Sequence, residues 1–408
     1  MTDGEPNRLG SLDLIRGVAV LGILAINIAG LAGPPAATLS PNIPFPGSEA
    51  DQWAFAIKFL LFEGKMRALF TVLFGASLVL FIDRADAAGR PGSQLQMRRL
   101  IWLALFGLAH FYVLWWGDIL FLYAVAGIIA LAMRGLSVSK LLLFALSIFA
   151  IWHTSEALQG YPDVTVEHRV LAGTATEAEN RDYTIYRATL QQDAEQDIRD
   201  VSGSFISQMS IRTNEDTFMP ILAAISNLGE TLPLIMIGMA LMRSGFFSGG
   251  WSKRQLAWSG LGATTIGLIL TWALLRWTWA LGFPLLTMEW TYLYAGALPH
   301  FITAMGYAAL LVLAAPALRR MTAGRWLAAA GQMAFSNYIG TTVLMTAIFY
   351  GWGLGWIGKF GDGWQWAFVL LGWSAMILFS VRWLSHFRRG PLEWAWRSLV
   401  EGKILPNR

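Results

Sequence analysis

The chain has 408 residues, of which 55% are apolar and 14% charged, with a mean hydropathy of +0.50 and a formal charge of +4. A soluble domain carries about 25% charged residues, so one globular core could not bury this much apolar surface, and soluble enzymes, secreted scaffolds and nucleic-acid binders are excluded. With 20 tryptophans and no cysteine, the composition suits a membrane protein with aromatic side chains at the headgroup level, and it excludes disulfides, iron–sulfur clusters and thiolate zinc sites.

The fold class read from this pattern is all-α: a polytopic helical membrane bundle of about ten transmembrane helices. A span needs roughly 20 apolar residues. Ten such runs lie near 14–33, 61–82, 100–117, 118–133, 139–157, 217–242, 255–281, 292–315, 326–350 and 365–385. They divide the chain into an N-terminal membrane half (1–157), an acidic helical loop (158–216) and a C-terminal membrane half (217–408). An interfacial helix is expected from Gly390, with Pro391 suited to a first helical position.

Span one opens with Asp13 and Arg16, three residues apart on one face. Arg16 is placed to meet a cytosolic phosphate or to anchor the helix, and Asn27 lies three turns further along. Residues 51–65 form a short extra helix leading into span two. There Glu63, Lys65 and Arg67 put three charges into five residues, and Glu63 is expected to pair with Arg67 at i,i+4. Gly64 between them signals a kink or a close backbone approach. In span three, His110 lies deep, and Asp118 follows a Trp115-Trp116-Gly117 turn. An imidazole at that depth suits a general base or a packed, hydrogen-bonded residue.

The segment 158–216 holds eleven acids against five bases, so the rest of the chain carries the positive charge. Thr176 and Glu179 form a capping-box pattern. Tyr183, Tyr186, Leu190, Ala194, Ile198, Val201, Phe205 and Met209 then recur at helical spacing. This amphipathic helix is expected to lie over the outer face of the bundle or to pack against a second copy, which would give a homodimer. Further on, Glu230 stands between Gly229 and Pro233, His300 follows Pro299, and Asn337 lies within span nine.

Twenty of the thirty Lys and Arg residues fall on one side of this arrangement, Arg8 and Arg16 among them. The positive-inside rule then places both termini in the cytosol and 158–216 outside, in a bacterial inner (cytoplasmic) membrane. Polar groups inside spans are costly and mark function. Asn27, Glu63, Lys65, Arg67, His110, Asp118 and His300 all fall in outer halves, so one outward-opening cavity would shelter them, with Arg16 at the opposite mouth. No metal-ligand spacing, nucleotide loop or nucleophile elbow is present, so no metal is expected.

Several segments resemble the YeiB-like family of bacterial inner-membrane proteins. They are Leu12–Gly17, Phe62–Phe70, Gly117–Leu120, Gly331–Tyr338 and Gly390–Trp394, and together they run the length of the chain. The Leu-Asp-x-x-Arg-Gly opening of span one also resembles the transmembrane acyltransferase superfamily, whose members move an acyl group from cytosolic acyl-CoA to an acceptor at the outer face. That resemblance implies acyl-CoA and an outer-face acceptor as partners beside the lipid bilayer, with no nucleic acid. It further implies that Arg16 and Asp13 serve the donor mouth. Members of that superfamily carry a His near the outer end of span one or in the loop after it. Here Asn27 stands at the first place and 28–62 contains no His. The base would then be His110, with Asp118 or Glu63 fixing its tautomer and Asn27 donating to the oxyanion. Lys65, Arg67, Glu230, His300 and Asn337 would complete the binding surface. The residues also suit a transporter or a lipid- or metabolite-binding protein.

Overall fold

The computed structural model describes residues 5–408, with side chains from Ser11 onward; the side chain of Arg8, counted above as a topology charge, lies outside the described residues. The described residues form helices throughout. In chain order they are α1 (Glu5–Ala32), α2 (Glu49–Leu61), α3 (Lys65–Ala87), α4 (Gly92–Ala109), α5 (Leu120–Ala132) and α6 (Val138–Leu171). There follow α7 (Glu177–Val201), α8 (Phe205–Asn214), α9 (Met219–Ser226), α10 (Leu228–Arg243), α11 (Lys253–Ala280) and α12 (Leu285–Trp290). The last are α13 (Ala297–Leu318), α14 (Thr322–Gln332), α15 (Ala334–Phe349), α16 (Asp362–Leu384) and α17 (Pro391–Glu401). Single π-turns continue α4 through His110–Leu114 and α12 through Thr291–Ala295.

Among the described residues, seven helical segments are long and apolar enough to cross a membrane. Three of the ten expected spans are not single long helices. The run at 118–133 gives only α5, whose 13 residues reach about 20 Å. The run at 217–242 is α9 and α10, bent by 61° at Asn227. Pro233 sits inside α10, past the bend. The run at 326–350 breaks at Met333 into α14 and α15. The fifth span is longer than expected, since α6 continues without interruption to Leu171.

Close helix contacts are made by small residues, the usual device where lipid removes any hydrophobic drive for helices to associate. A Cβ on Gly75 of α3 would lie 2.0 Å from the Ile235 carbonyl of α10, and one on Gly238 would lie 2.0 Å from the Val72 carbonyl. Around this contact Leu69, Leu73, Ala76, Ile235 and Met239 are fully buried. Gly17 of α1 meets the Leu327 carbonyl of α14, and Gly331 meets the Asp13 carbonyl. Outward faces of α6, α11 and α16 expose Leu143, Ile151, Trp258, Ile269 and Leu378, the apolar surface expected of lipid-facing helices.

The capping box at Thr176 forms as read. The amphipathic helix ends at Val201, and α8 carries the remainder after a Ser202–Gly203 turn. Its apolar stripe packs within the chain: Tyr183 donates to Glu167 at 2.7 Å, Tyr186 to Glu289 at 2.8 Å, and Ile198 and Val201 join the core around α15.

Candidate functional site

Two irregular joints shape the site. The first lies between α2 and α3. Gly64 has φ +67°, and a Cβ there would fall 2.2 Å from His300 Nδ1, so the joint requires glycine both for its left-handed backbone and for space. The turn takes Glu63 off the α3 helix. The expected Glu63–Arg67 pair at i,i+4 therefore does not form. Instead Arg67 Nη2 donates to Glu230 Oε2 at 3.0 Å across to α10. Glu63, 7% exposed, accepts from the Gly64 amide at 2.9 Å and shares the cavity wall with Tyr292. Lys65 turns inward, fully buried, and donates to the Phe59 carbonyl at 2.8 Å.

The second joint links α4 to α5. The π-turn directs His110 between Asp118 and α15. His110 Nδ1 lies 2.9 Å from Asp118 Oδ1, and Nε2 lies 3.1 Å from Thr342 Oγ1. The second oxygen of Asp118 accepts from the Phe121 amide at 2.8 Å and so caps α5. Gly107 leaves the room for this, since a Cβ there would meet Phe121 N and Asp118 Oδ2. His110 is 2% exposed, and both ring nitrogens are engaged.

A cavity of about 570 Å³ opens between these joints. Asn27, Glu63, Arg67 and Asp118 belong to its wall, and Trp115, Trp116, Phe111, Phe121 and Tyr292 supply aromatic surface. The Asn27 amide has no hydrogen-bond partner among the described residues. Helices α7 and α8 form the roof. Arg212 of α8 donates to the Tyr112 and Val113 carbonyls at 3.1 and 3.0 Å, so the roof is pinned to carbonyls of the π-turn. Tyr112 donates in turn to the Thr217 carbonyl at 2.6 Å.

The roof is acidic where it faces the cavity. Asp197, Asp200 and Asp216 all line it. Burial, then repulsion from Asp200, Asp193 and Asp216, pushes the Asp197 carboxyl up to about 6. Burial also raises Asp216, opposed by Arg212 and reinforced by Asp200.

The remaining candidates lie elsewhere. His110, Lys65, Glu230 and His300 sit behind the cavity wall rather than on it. His300 borders a void of about 10 Å³ together with Arg67, Glu230 and Tyr292, and its Nε2 is buried without a partner among the described residues. Asn337 spans the α14–α15 break, donating at 2.9 Å to both the Ala330 carbonyl and Ser380 Oγ. Arg16 is held by Asp13 at 2.8 Å and by Ser77 at 3.2 Å. Neither Asp13 nor Arg16 reaches the cavity. Among the described residues, no group of three or more His, Asp or Glu side chains is placed to hold a metal ion.

Sequence reasoning missed Tyr292, Arg212 and the acids of the roof. Asp197 and Asp200 flank the stripe of Ala194, Ile198 and Val201, and acids beside an apolar stripe were the available signal. Nothing local marked Tyr292 or Arg212.

Residues 241–403 match the family described as a protein of unknown function, DUF418. Across 399 residues the chain is 31% identical to the uncharacterized protein YeiB of Escherichia coli (strain K12), covering 96% of this chain and 95% of that one. It is 29% identical over 399 residues to the uncharacterized protein YxaH of Bacillus subtilis (strain 168), at 96% and 94% coverage. An uncharacterized 39.9 kDa protein of Bacillus acidopullulyticus is 26% identical over 411 residues, at 98% and 95% coverage. No solved structure matches the chain.

Proposed function

The chain belongs to the YeiB-like, DUF418-bearing family of membrane proteins, and we propose that it is an acyltransferase that passes an acyl group from acyl-CoA to an acceptor bound in the cavity. The observation that carries this reading is the convergence of Glu63, Arg67, Asp118 and Asn27 on one largely apolar cavity of about 570 Å³. The first-span motif and its likeness to transmembrane acyltransferases add to it. In this reading the protein lies in the bacterial cytoplasmic membrane with both termini cytosolic, so that the donor comes from the basic face and the acceptor from beneath the α7–α8 roof.

The chemistry is a single displacement. An acceptor hydroxyl or amine attacks the thioester carbonyl, the new C–O or C–N bond forms, and the C–S bond breaks. The acceptor's proton passes to Glu63, which the Gly64 amide holds, and coenzyme A leaves as the thiolate. Asn27 donates to the developing oxyanion, an interaction worth about 3 kcal/mol where such donors have been removed. His110 acts through Asp118 as a post that fixes the α4–α5 joint, in place of the base expected from sequence.

The test uses the missing cysteine. With no protein thiol, free-thiol release from acetyl-CoA or longer acyl-CoAs reads product alone. Purified protein with membrane extract as acceptor source is expected to release thiol, and Glu63→Gln is expected to lower turnover at least a hundredfold while acyl-CoA binding persists. A second reading, ligand binding or transport without chemistry, is favoured by the saturated nitrogens of His110 and by Arg16 being held at Asp13 and Ser77. Acyl-CoA that neither binds nor releases thiol would select that second reading.

A further inference from the structure

The charge around the cavity has a sign. Five carboxylates belong to its wall: Glu63, Asp118, Asp197, Asp200 and Asp216. Two guanidinium groups stand against them. Arg67 is paired with Glu230, a further acid behind the wall, and Arg212, held by two backbone carbonyls of the α4 π-turn, keeps its charge and offsets Asp216, so acids still outnumber bases on the wall. Asp197 has no hydrogen bond or ion pair among the described residues, and its neighbours are Asp193 and Asp200 on α7, Asp216 just after α8, and Tyr350 at the end of α15; Arg212 on α8 acts on Asp216 and Tyr350.

An unbalanced negative field over an apolar volume selects for one kind of molecule. A free metal ion would not be held, because the acids are not grouped as ligands. An anionic head would meet the roof acids and be repelled by them. A cation with a hydrocarbon body meets both requirements. Its charge lies among the acids, and its body lies against Trp115, Trp116, Phe111 and Phe121, whose faces also attract cations.

Resting on the reading of this cavity as the ligand site, we infer that its ligand is an amphipathic organic cation, a protonated amine carried on an apolar chain, held with the ammonium beneath the α7–α8 roof. Burial first, and repulsion from Asp200, Asp193 and Asp216 second, raise the Asp197 carboxyl, and an ammonium beside it would offset that repulsion.

Binding to detergent-solubilised protein, with no acyl-CoA present, tests this using three probes of equal chain length: dodecylamine, dodecanol and dodecanoate. Dodecylamine is expected to bind at least tenfold tighter than dodecanol, with dodecanoate weakest, and its affinity is expected to fall as salt rises. The triple substitution D197N/D200N/D216N is expected to erase the preference for the amine while leaving dodecanol affinity unchanged, which also reports that the cavity is still folded. Should that variant not fold, the wild-type ranking and its salt dependence still decide. Dodecanoate binding as tightly as dodecylamine, or none of the three binding, would overturn the inference. Because no acyl donor is present, a cation preference would survive failure of the acyl-transfer reading. Loss of the preference would leave transfer to a neutral hydroxyl acceptor standing.

Discussion

Asp197 shows how one residue reports the state of the whole roof. Burial, then repulsion from Asp200, Asp193 and Asp216, pushes its carboxyl up to about 6, above the ordinary aspartate range. A raised acid contributes stability that is fully present below the unfolded value and is lost as pH rises through the folded value. The protein should therefore lose stability between about pH 4 and pH 7 at this position. The group is half-exposed, so solvent screening reduces the effect to about 1 kcal/mol. Thermal unfolding of Asp197→Asn is expected to show a gain of that size at pH 7 and none at pH 4; an equal gain at both would remove the electrostatic cause. Residue-scale chemistry was only partly legible in the sequence. Glu63, Arg67 and Asp118 stood out as charges in apolar runs, because such groups are expensive in lipid. Their partners did not, since the positive φ of Gly64 separates Glu63 from α3 and sends Arg67 to Glu230.

At the scale of elements, α17 is the clearest case of a short helix with a structural duty. Pro391 begins it, and Gly402 in a left-handed conformation ends it. Glu393 reaches into the α14–α15 break, accepting from the Phe335 and Ser336 amides at 2.8 and 3.0 Å and from Ser336 Oγ at 2.5 Å. It thereby caps the start of α15 while Trp396 donates to the Arg99 carbonyl at 3.0 Å. Replacing Glu393 by Ala strands these donors in a buried setting, at a cost of about 2 to 3 kcal/mol. The expected result is a lower unfolding temperature and proteolytic release of the segment after Gly390; unchanged stability would mean that α17 is merely laid on the bundle. The existence of α17 was readable from Pro391 and the spacing of its apolar residues. The break it caps was not. Residues 326–350 form a continuous apolar run, and the irregularity at Met333 is held open by side chains distant in sequence, Glu393 and Ser380. The bend at Asn227 was hidden inside another apolar run, whereas the straight spans were legible because run length alone specifies them.

Across the whole molecule, the segments that carry the family resemblance gather at two places. Leu12–Gly17, Gly331–Tyr338 and Gly390–Trp394 interlock around the α14–α15 break through Gly17, Gly331, Ser336 and Glu393. Phe62–Phe70 and Gly117–Leu120 instead build the two joints beside the cavity. The first group holds helices together and the second frames the cavity. The sidedness of this arrangement is testable because the background lacks thiols. A cysteine placed at Asn180 should react with a membrane-impermeant maleimide in intact cells, and one at Lys403 only after lysis. The reverse pattern would invert the topology and with it the direction of transfer.

In the proposed function, the cavity between Glu63, Arg67 and Asp118 receives the substrate. A cryo-EM map of the protein in lipid nanodiscs, incubated with a non-hydrolysable acyl-CoA and a long-chain amine, examines it directly. Density for the amine is expected beneath α7 and α8, its head near Asp197, with the acyl end of the coenzyme approaching Glu63. An empty cavity beside ligand density at a lipid-facing surface would contradict it.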